Sequence, residues 1–321
     1  MNILRTTLIA IFMLSLLIAP WAQADPAQAE NLACPPDCPF KAYLPLVVKP
    51  YGVFQGGLII DHRHIDITRI PDEWLTKARD LTIHYAHTSH GGQILEGMQY
   101  LETFKDSTKY AFAVQTGGTP PTLPAGANIL KIYDGNNYPS NTYITPDLYW
   151  EGIDGINHTL STANTGLFDY STWSWCGQAE YYSNDSINEY LSQINAFDAA
   201  YPDMRFILMT GHNVTDPGTS LLVHNQMIRN YAIANNLILF DFADIETYDP
   251  DGVFYNPATW DYTDGNCPWC NTWCASHSSY CSNLPSNCAH QSAVYGGLFC
   301  KMKAQAFWWM MARLAGWSGT P

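Results

Sequence analysis

Between residues 81 and 242, short apolar runs alternate with longer segments whose apolar residues recur every three to four positions. Short runs rich in β-branched and aromatic residues are typical of buried strands, and the longer spacing is typical of amphipathic helices. The pattern predicts five strands, at 81–86, 128–133, 168–175, 205–210 and 237–242. It predicts helices at 93–104, 186–200, 221–235 and 298–315, the last of them apolar on most of its faces and therefore buried.

Strands that alternate with helices predict a mostly parallel sheet covered on both faces, which is a three-layer α/β/α architecture with five central strands. Residues 57–67 indicate an additional short edge strand, and a short helix follows Pro71. Residues 134–168 are rich in glycine, proline, asparagine and threonine and are interpreted as a long loop or insertion. In such sheets, function gathers at the carboxyl ends of the strands.

The first 24 residues have the pattern of a secretory signal peptide, with a positive Arg5, an apolar run at 7–19 and small residues at 22 and 24. Residues 25–75 form a proline- and cysteine-containing extension, and 76–321 form the predicted catalytic domain. No later segment is long and apolar enough to suggest a membrane span. The sequence therefore predicts an exported, extracellular protein with no membrane attachment after signal cleavage.

The charge and the aromatic content narrow the expected partners. The net charge of −14 argues against nucleic acid and anionic membranes as partners, because both would be repelled. Aromatic residues make up 14% of the chain, which suits an uncharged polymer such as a polysaccharide.

Nine cysteines are present, and six of them lie between 267 and 300, just before the last helix. Export permits disulfides, although the sequence does not define which cysteines pair. The odd number leaves at least one cysteine without a partner within the chain.

The first predicted strand ends in a polar turn at residues 87–91 (His-Thr-Ser-His-Gly), and a helix follows. The Ser89 hydroxyl has two interpretations: it caps the helix, or it is a nucleophile exposed at the sheet edge beside backbone N–H groups. The second interpretation needs a base. His290 precedes the last helix, where a loop can return to the same edge. We therefore predict that Ser89 and His290 act together.

From residue 78 to 317, the order of these features resembles a divergent form of the SGNH (GDSL-like) hydrolase superfamily. Ser89 stands at the position of the family's Gly-Asp-Ser turn. Gly177 and Gln178 stand at the position of its Gly-x-Asn-Asp block, and Asn287-Cys-Ala-His290 stands at the position of Asp-x-x-His. The resemblance implies a flavodoxin-like fold, a Ser-His mechanism and an oxyanion held by the Ser89 N–H, the Gln178 side chain and a glycine after the second strand, for which Gly135 is the candidate.

Three departures from the family pattern affect the site. Gly-Asp-Ser is absent, Gln178 replaces an asparagine and Asn287 replaces the aspartate that orients the base. Glutamine can still donate a hydrogen bond to an oxyanion, and an asparagine carbonyl can orient an imidazole. Because an amide cannot stabilise an imidazolium as a carboxylate does, Asp264 and Asp244 are alternative partners for His290.

The fourth predicted strand ends in Thr-Gly-His-Asn, with His212 as its third residue. This segment could replace Gln178 as the oxyanion block, but counting strands favours Gln178. His212 then either lines the pocket or is a polar residue of a turn.

Metal chemistry is a further alternative. His84, His87 and His90 are three residues apart, but side chains on a strand that enters a turn diverge. The cysteines that begin at Cys267, with His277 among them, have zinc-like spacing, but outside a cell such spacing indicates disulfides. We expect no metal and no cofactor.

The sequence predicts a secreted serine hydrolase of acyl or acetyl esters, for which the resemblance implies carbohydrate-linked substrates among others. The alternatives are a non-catalytic carbohydrate-binding protein on the same fold and a metal-dependent hydrolase.

Overall fold

The computed structural model describes residues 53–118, 120–135, 147–215 and 220–319. The chain divides into a first unit, residues 1–48, and a second unit that contains all the described residues. The predicted signal peptide and residues 25–52 of the predicted extension lie outside the described residues. The remainder of that extension, from residue 53, contributes a strand and a helix to the second unit.

The sheet has seven parallel strands in the order β1-β7-β6-β5-β2-β4-β3. The strands are β1 (Leu58–Ile60), β2 (Thr82–Ala86), β3 (Phe112–Thr116), β4 (Leu130–Asp134), β5 (Tyr170–Trp173), β6 (Arg205–Met209) and β7 (Ile238–Phe240). The predicted α/β fold with a parallel sheet is confirmed, but the predicted number of five strands is wrong. The sequence pattern did not reveal β3, since it is an edge strand whose residues are only partly buried and so lack a clear apolar run.

The α-helices of the described residues follow the strands along the chain. They are α1 (Asp72–Ala78), α2 (Gly92–Phe104), α3 (Asp147–Trp150), α4 (Gly152–Ala163), α5 (Gln178–Tyr181), α6 (Asn184–Ala200), α7 (Ser220–Ala234), α8 (Phe242–Thr247), α9 (Cys270–Ser276) and α10 (Gly297–Leu314). The helices α3 and α4 lie in the segment 134–168 that was interpreted as a long loop or an insertion, and the loop interpretation is wrong for 147–163. None of the described helices is long and apolar enough to cross a membrane.

The last helix, α10, is the centre of one half of the core, and nearly all its residues are buried. Its closest neighbour is α2, which follows β2. At Gly97 of α2, an added Cβ would lie 1.9 Å from the carbonyl oxygen of Cys300, so only glycine permits this approach. Because α10 packs directly on the helix that begins near Ser89, the loop before α10 is brought to the end of β2.

Three disulfides hold the cysteine-rich region that precedes and enters α10. They join Cys267 to Cys270, Cys274 to Cys281 and Cys288 to Cys300. The predicted cysteine-rich region before the last helix is confirmed. The first and third bridges hold the two loops that reach the sheet edge, next to Asp264 and His290.

Candidate active site

The neighbouring strands β6, β5 and β2 end at one edge of the sheet, and three polar turns follow them. Ser89 follows β2, Cys176 to Gln178 follow β5, and His212 follows β6. The loops that carry Asp264 and His290 approach this edge from the C-terminal part of the chain. These five segments form the candidate site.

Ser89 is the first residue of a single 3₁₀ turn, Ser89–Gly91, and is half-buried. No side chain caps this turn or the N-terminus of α2. The Ser89 Oγ instead lies in a short contact with Nε2 of His290. The structure therefore places the hydroxyl beside an imidazole rather than in a helix cap.

The other ring nitrogen of His290, Nδ1, lies 2.6 Å from Oδ2 of Asp264. A carboxylate only accepts, so Nδ1 carries the proton and donates it, which leaves Nε2 as the acceptor for the Ser89 hydroxyl. The three residues form a serine–histidine–aspartate arrangement. It is defined by contacts and roles rather than by sequence order.

The structure corrects the predicted partner of His290. Asn287 is exposed, and Asp264 rather than Asn287 contacts Nδ1. The chain turns at residues 288–291, where the N–H of Gln291 donates to the carbonyl of Cys288 at 3.1 Å. The other alternative, Asp244, lies with its Oδ1 2.5 Å from Nδ1 of His62 and belongs to a different cluster.

The backbone conformation of the three residues is unusual. Among the described residues, six that are not glycine have positive φ, and three of these are asparagines, which tolerate that region. The other three are Ser89 (φ 48°), Asp264 (φ 48°) and His290 (φ 61°). Such conformations persist where the surrounding structure enforces them, and they concentrate at functional sites.

Two amide side chains join the loops that carry Asp264 and His290. The Gln291 side chain donates to the carbonyl of Gly265 at 2.7 Å and accepts from the N–H of Cys267 at 2.9 Å. Oδ1 of Asn266 accepts from the N–H of Ser292 at 3.0 Å. These bonds fix the separation between Asp264 and His290.

A buried network of charged and amide side chains contacts the backbone of the His290 loop. Lys303 of α10 lies 2.6 Å from Oε1 of Glu246 and also bonds to Oε1 of Gln93. The Gln93 amide in turn donates to the carbonyl of Ala289 at 2.5 Å. Burial lowers the pKa of Lys303 to about 8, with Glu246 opposing that shift. The Glu246 carboxylate and the Gln93 amide therefore pair with the Lys303 ammonium, and the same amide holds Ala289, the residue before His290.

Gly135, the predicted second oxyanion donor, does not have that role in the structure. Its N–H donates to the carbonyl of Tyr85 at 3.1 Å. A Cβ at this position would lie 2.4 Å from the Tyr149 hydroxyl and 3.2 Å from Nε2 of His84. The glycine is therefore explained by close packing and by extension of the β2–β4 pairing.

Gln178 and Gly177 lie at the predicted place, at the end of β5 and next to β2. Gly177 precedes the first residue of α5, and Oε1 of Gln178 accepts from the N–H of Cys176 at 2.9 Å. This bond orients the Gln178 amide so that its nitrogen is the remaining donor. The N–H groups of Ser89 and His90 begin a 3₁₀ turn, where backbone donors lack partners within the helix.

Three histidine rings stack in parallel at the site. The His90 ring lies 3.7 Å from the His290 ring and 3.9 Å from the His212 ring, with interplanar angles of 5° and 4°. His212 is buried, and its Nε2 lies 3.2 Å from Oε1 of Glu180. Burial lowers the pKa of His90 well below its usual value, and the adjacent His212, His290 and Lys303 lower it further. His90 is therefore neutral at neutral pH.

The other two histidines of the spaced set have separate partners. Nδ1 of His84 lies 2.8 Å from Ser171 Oγ, and Nε2 of His87 lies 3.0 Å from Oδ2 of Asp134. Burial lowers the pKa of His84 to about 3. As predicted for a strand entering a turn, His84, His87 and His90 do not converge on one point.

Two overlapping groups of side chains at the site have potential ligand atoms within 4.8 Å of one another: His90, Cys176 and His290, and His90, His212 and Asp264. A metal ion lies in the ring plane of each histidine that binds it. Because the stacked rings are nearly parallel, their in-plane lone pairs do not meet at one point. The arrangement fits hydrogen bonding better than metal coordination.

A half-open cavity of about 340 Å³ lies beside this edge of the sheet. Its lining includes Asn213, Arg229, Asp244, Tyr248 and Phe254. Ser89, His90, Asp264 and His290 do not line this cavity, which lies on the side of Asp244 and Tyr248.

From the sequence, His90 was considered only as one of three spaced histidines that could bind a metal, and Asp264 was named only as an alternative partner of His290. The signal for Asp264 is an acidic residue followed by a glycine in a polar turn. The stacking of His90 has no signal in the sequence, because the two rings that contact it come from distant segments.

No protein-family model and no curated protein sequence matches the chain. Among solved structures, the chain is similar to the crystal structure of a candidate acylhydrolase from Bacteroides fragilis. The similarity covers 61% of this chain and 82% of that one, at 13% sequence identity and a TM-score of 0.31. A likeness of this size does not define a function, which depends on the chemistry of the site.

Proposed function

We propose that this protein is a serine-type hydrolase that cleaves ester bonds with Ser89, His290 and Asp264. The observation that carries the proposal is the arrangement of these three side chains. The Ser89 hydroxyl contacts His290 Nε2, while Asp264 Oδ2 lies 2.6 Å from Nδ1. All three residues have positive φ. This conformation costs free energy and persists only where the surrounding structure imposes it, as at functional sites.

In the first half of the reaction, Ser89 Oγ attacks the acyl carbon of the ester while His290 Nε2 takes the hydroxyl proton. The carbonyl oxygen becomes an oxyanion. The intermediate collapses as His290 returns the proton to the leaving alcohol, and the acyl group remains on Ser89. In the second half, His290 takes a proton from water, which attacks the acyl carbon, and Ser89 leaves with that proton as the acid is released.

The N–H groups at the start of the Ser89 turn and the Gln178 amide are the donors that we assign to the oxyanion. Both lie at adjacent strand ends, and the bond from Cys176 to Oε1 of Gln178 leaves the amide nitrogen as the donor. Gly135 is left out of this set, because its N–H is already bonded to Tyr85.

We further propose that the protein is a divergent SGNH-like esterase that is exported and acts outside the cell. The signal-like N-terminus and the resemblance of the serine and histidine blocks support this assignment. The three disulfides fit an oxidising compartment. Acyl or acetyl esters, including those on carbohydrates, are the proposed substrates. The negative charge favours an uncharged partner over nucleic acid or a membrane.

The test is hydrolysis of p-nitrophenyl acetate by the oxidised protein. Ser89→Ala is expected to lower kcat/KM by about 10⁴-fold or more, because the nucleophile is removed. Ser282→Ala is the matched control: its hydroxyl bonds within its own exposed loop, so turnover should be unchanged. Hydrolysis that persists in Ser89→Ala would refute the proposal. Glycan binding without turnover by the unmodified protein would favour the non-catalytic alternative.

A further inference from the structure

His90 contacts both His290 and Asp264, and it does so through different parts of its ring. Its face stacks on the His290 ring at 3.7 Å. Its edge places Nε2 3.3 Å from the backbone carbonyl oxygen of Asp264. A single buried side chain therefore contacts both the base and the residue that orients the base.

The hydrogen-bond partners of His90 define its tautomer. A carbonyl only accepts, so Nε2 carries the proton that it donates to Asp264. Nδ1 is then unprotonated and is the acceptor for Cys176, whose Sγ lies 3.4 Å away. A neutral imidazole with both nitrogens occupied is fixed in rotation about its side-chain bond.

The rings are held together on both sides and at the edge. His212 covers the face of His90 opposite His290 at 3.9 Å. At Gly265, which has a φ of 72°, an added Cβ would lie 2.6 Å from Nε2 of His90 and 3.1 Å from Cδ2 of His212. The backbone of Gly265 therefore packs directly against the edges of both rings, next to Asp264.

We infer that His90 is a positioning residue for the proposed hydrolase: its ring face fixes the plane of His290 and stabilises the protonated form of His290. The inference rests on the proposed function of Ser89 and His290. Holding the plane keeps Nε2 directed at Ser89 and Nδ1 at Asp264 throughout the reaction. During acyl transfer, His290 becomes an imidazolium, and a cation is attracted to the electron-rich face of a neutral aromatic ring.

Charge at the stack decides whether this stabilisation operates. The titratable or charged groups that face His90 are His212, His290, Asp264, Cys176 and Lys303, and Glu180 faces the outer ring through His212. Lys303 and any proton on His212 disfavour a second positive charge on His90. His90, the middle ring of the stack, is thus kept neutral. Only in the neutral state does its face attract the His290 imidazolium.

The experiment compares His90→Leu with His90→Phe in the oxidised protein, using p-nitrophenyl acetate over a range of pH. The leucine variant removes the aromatic face, whereas the phenylalanine variant keeps it. We expect His90→Leu to lower kcat about tenfold with little change in KM. We also expect its acidic limb of kcat/KM to move to lower pH by about half a unit, because protonated His290 loses stabilisation. His90→Phe keeps the stacked face but loses the bonds to Cys176 and Asp264, so it should retain more of kcat than His90→Leu and keep its acidic limb near that of the unmodified protein.

His212→Leu provides a second variant, because it leaves His90 in contact with His290. It should shift the acidic limb in the same direction and by less than His90→Leu. Thermal unfolding of each variant separates loss of fold from loss of positioning. A folded His90→Leu with unchanged kcat and an unchanged limb would overturn the inference, and so would equal losses in His90→Leu and His90→Phe. If the unmodified protein shows no turnover that depends on Ser89, the proposed function itself has failed, which is a different result.

Discussion

Two histidine–aspartate clusters in this protein are alike in their contacts and different in their surroundings. In the first, Nδ1 of His290 lies 2.6 Å from Asp264, and an aromatic ring stacks on His290 at 3.7 Å. In the second, Nδ1 of His62 lies 2.5 Å from Asp244, and the Tyr248 ring stacks on His62 at 3.6 Å. A short carboxylate contact and a stacked ring are therefore not sufficient to define a catalytic histidine.

The difference lies in the outer nitrogen and in the backbone. Nε2 of His290 contacts the Ser89 hydroxyl. Among the described residues, no hydroxyl is hydrogen-bonded to Nε2 of His62. His62 begins a regular 3₁₀ turn, while Ser89, Asp264 and His290 have positive φ. The hydroxyl and the enforced backbone conformation distinguish the proposed catalytic group from a histidine–carboxylate contact with a structural role.

Removing each carboxylate in turn tests whether the two clusters differ in function. Asp264→Asn is expected to lower kcat/KM for p-nitrophenyl acetate by about 10²- to 10³-fold, because an amide can hold His290 in the wrong tautomer and cannot stabilise its charge. Asp244→Asn is the matched control in the other cluster and should change the rate by less than about twofold. Similar losses in the two variants would show that the clusters are not functionally distinct.

Two disulfides hold the loops of the first cluster, so their removal measures how strongly those loops are stabilised. Replacing Cys288 and Cys300 together by serine should lower the free energy of unfolding by about 2–4 kcal/mol, since this bridge closes a loop of 12 residues. Replacing Cys267 and Cys270, which are three residues apart, should cost less. Urea denaturation of both variants measures the difference. A larger loss from the shorter loop would contradict this account.

Two glycines test whether the packing around the stacked rings matters. Gly265→Ala forces a Cβ against His90 and His212, and we expect kcat to fall about 10- to 100-fold as the Asp264 turn moves. Gly252 also has positive φ, 82°, but an added Cβ would meet nothing within 4 Å. Gly252→Ala should therefore cost about 1 kcal/mol of stability and leave the rate unchanged. Rate measurements and denaturation on both variants separate backbone strain from the clash with the rings, and an unchanged rate in Gly265→Ala would exclude the packing effect.

A buried histidine outside both clusters is expected to affect the pH dependence of stability and not the rate. His84 has its pKa lowered to about 3 by burial, against 6.5 ordinarily. Between those values the unfolded chain binds a proton that the folded chain does not, so stability falls as pH falls below about 6.5. The expected slope from this group is about 1.4 kcal/mol per pH unit. We expect the free energy of unfolding, measured by denaturation between pH 4 and 6, to change less steeply with pH in His84→Leu than in the unmodified protein. The difference should correspond to about one proton bound on unfolding. An unchanged slope would show that other groups cause the acid sensitivity.

The sequence predicted the parts of the site that depend on local pattern. Ser89 follows an apolar run and begins a helix, and His290 precedes a long apolar helix, so both could be placed at the sheet edge before the structure was known. The structure brings their side chains into contact. The edge strand β3 could not be predicted in the same way, because its side chains are half-exposed.

The parts that depend on loop closure could not be predicted. Asn287 was favoured because of its spacing from His290, but the structure has Asp264, 26 residues earlier in the chain, at Nδ1. That contact depends on Gln291 and Asn266, which bond across two loops. The stack at His90 likewise requires three segments to meet, and no pattern along one segment reports it.

The central claim is that Ser89 is the nucleophile, and the location of a covalent adduct tests it most directly. The oxidised protein is treated with a fluorophosphonate, digested and analysed by mass spectrometry, with heat-unfolded protein as the control. We predict one adduct on the peptide that contains Ser89, absent from the unfolded sample and from His290→Ala, since the hydroxyl needs its base to react. An adduct on another residue, or folded protein that stays unlabelled, would contradict the account.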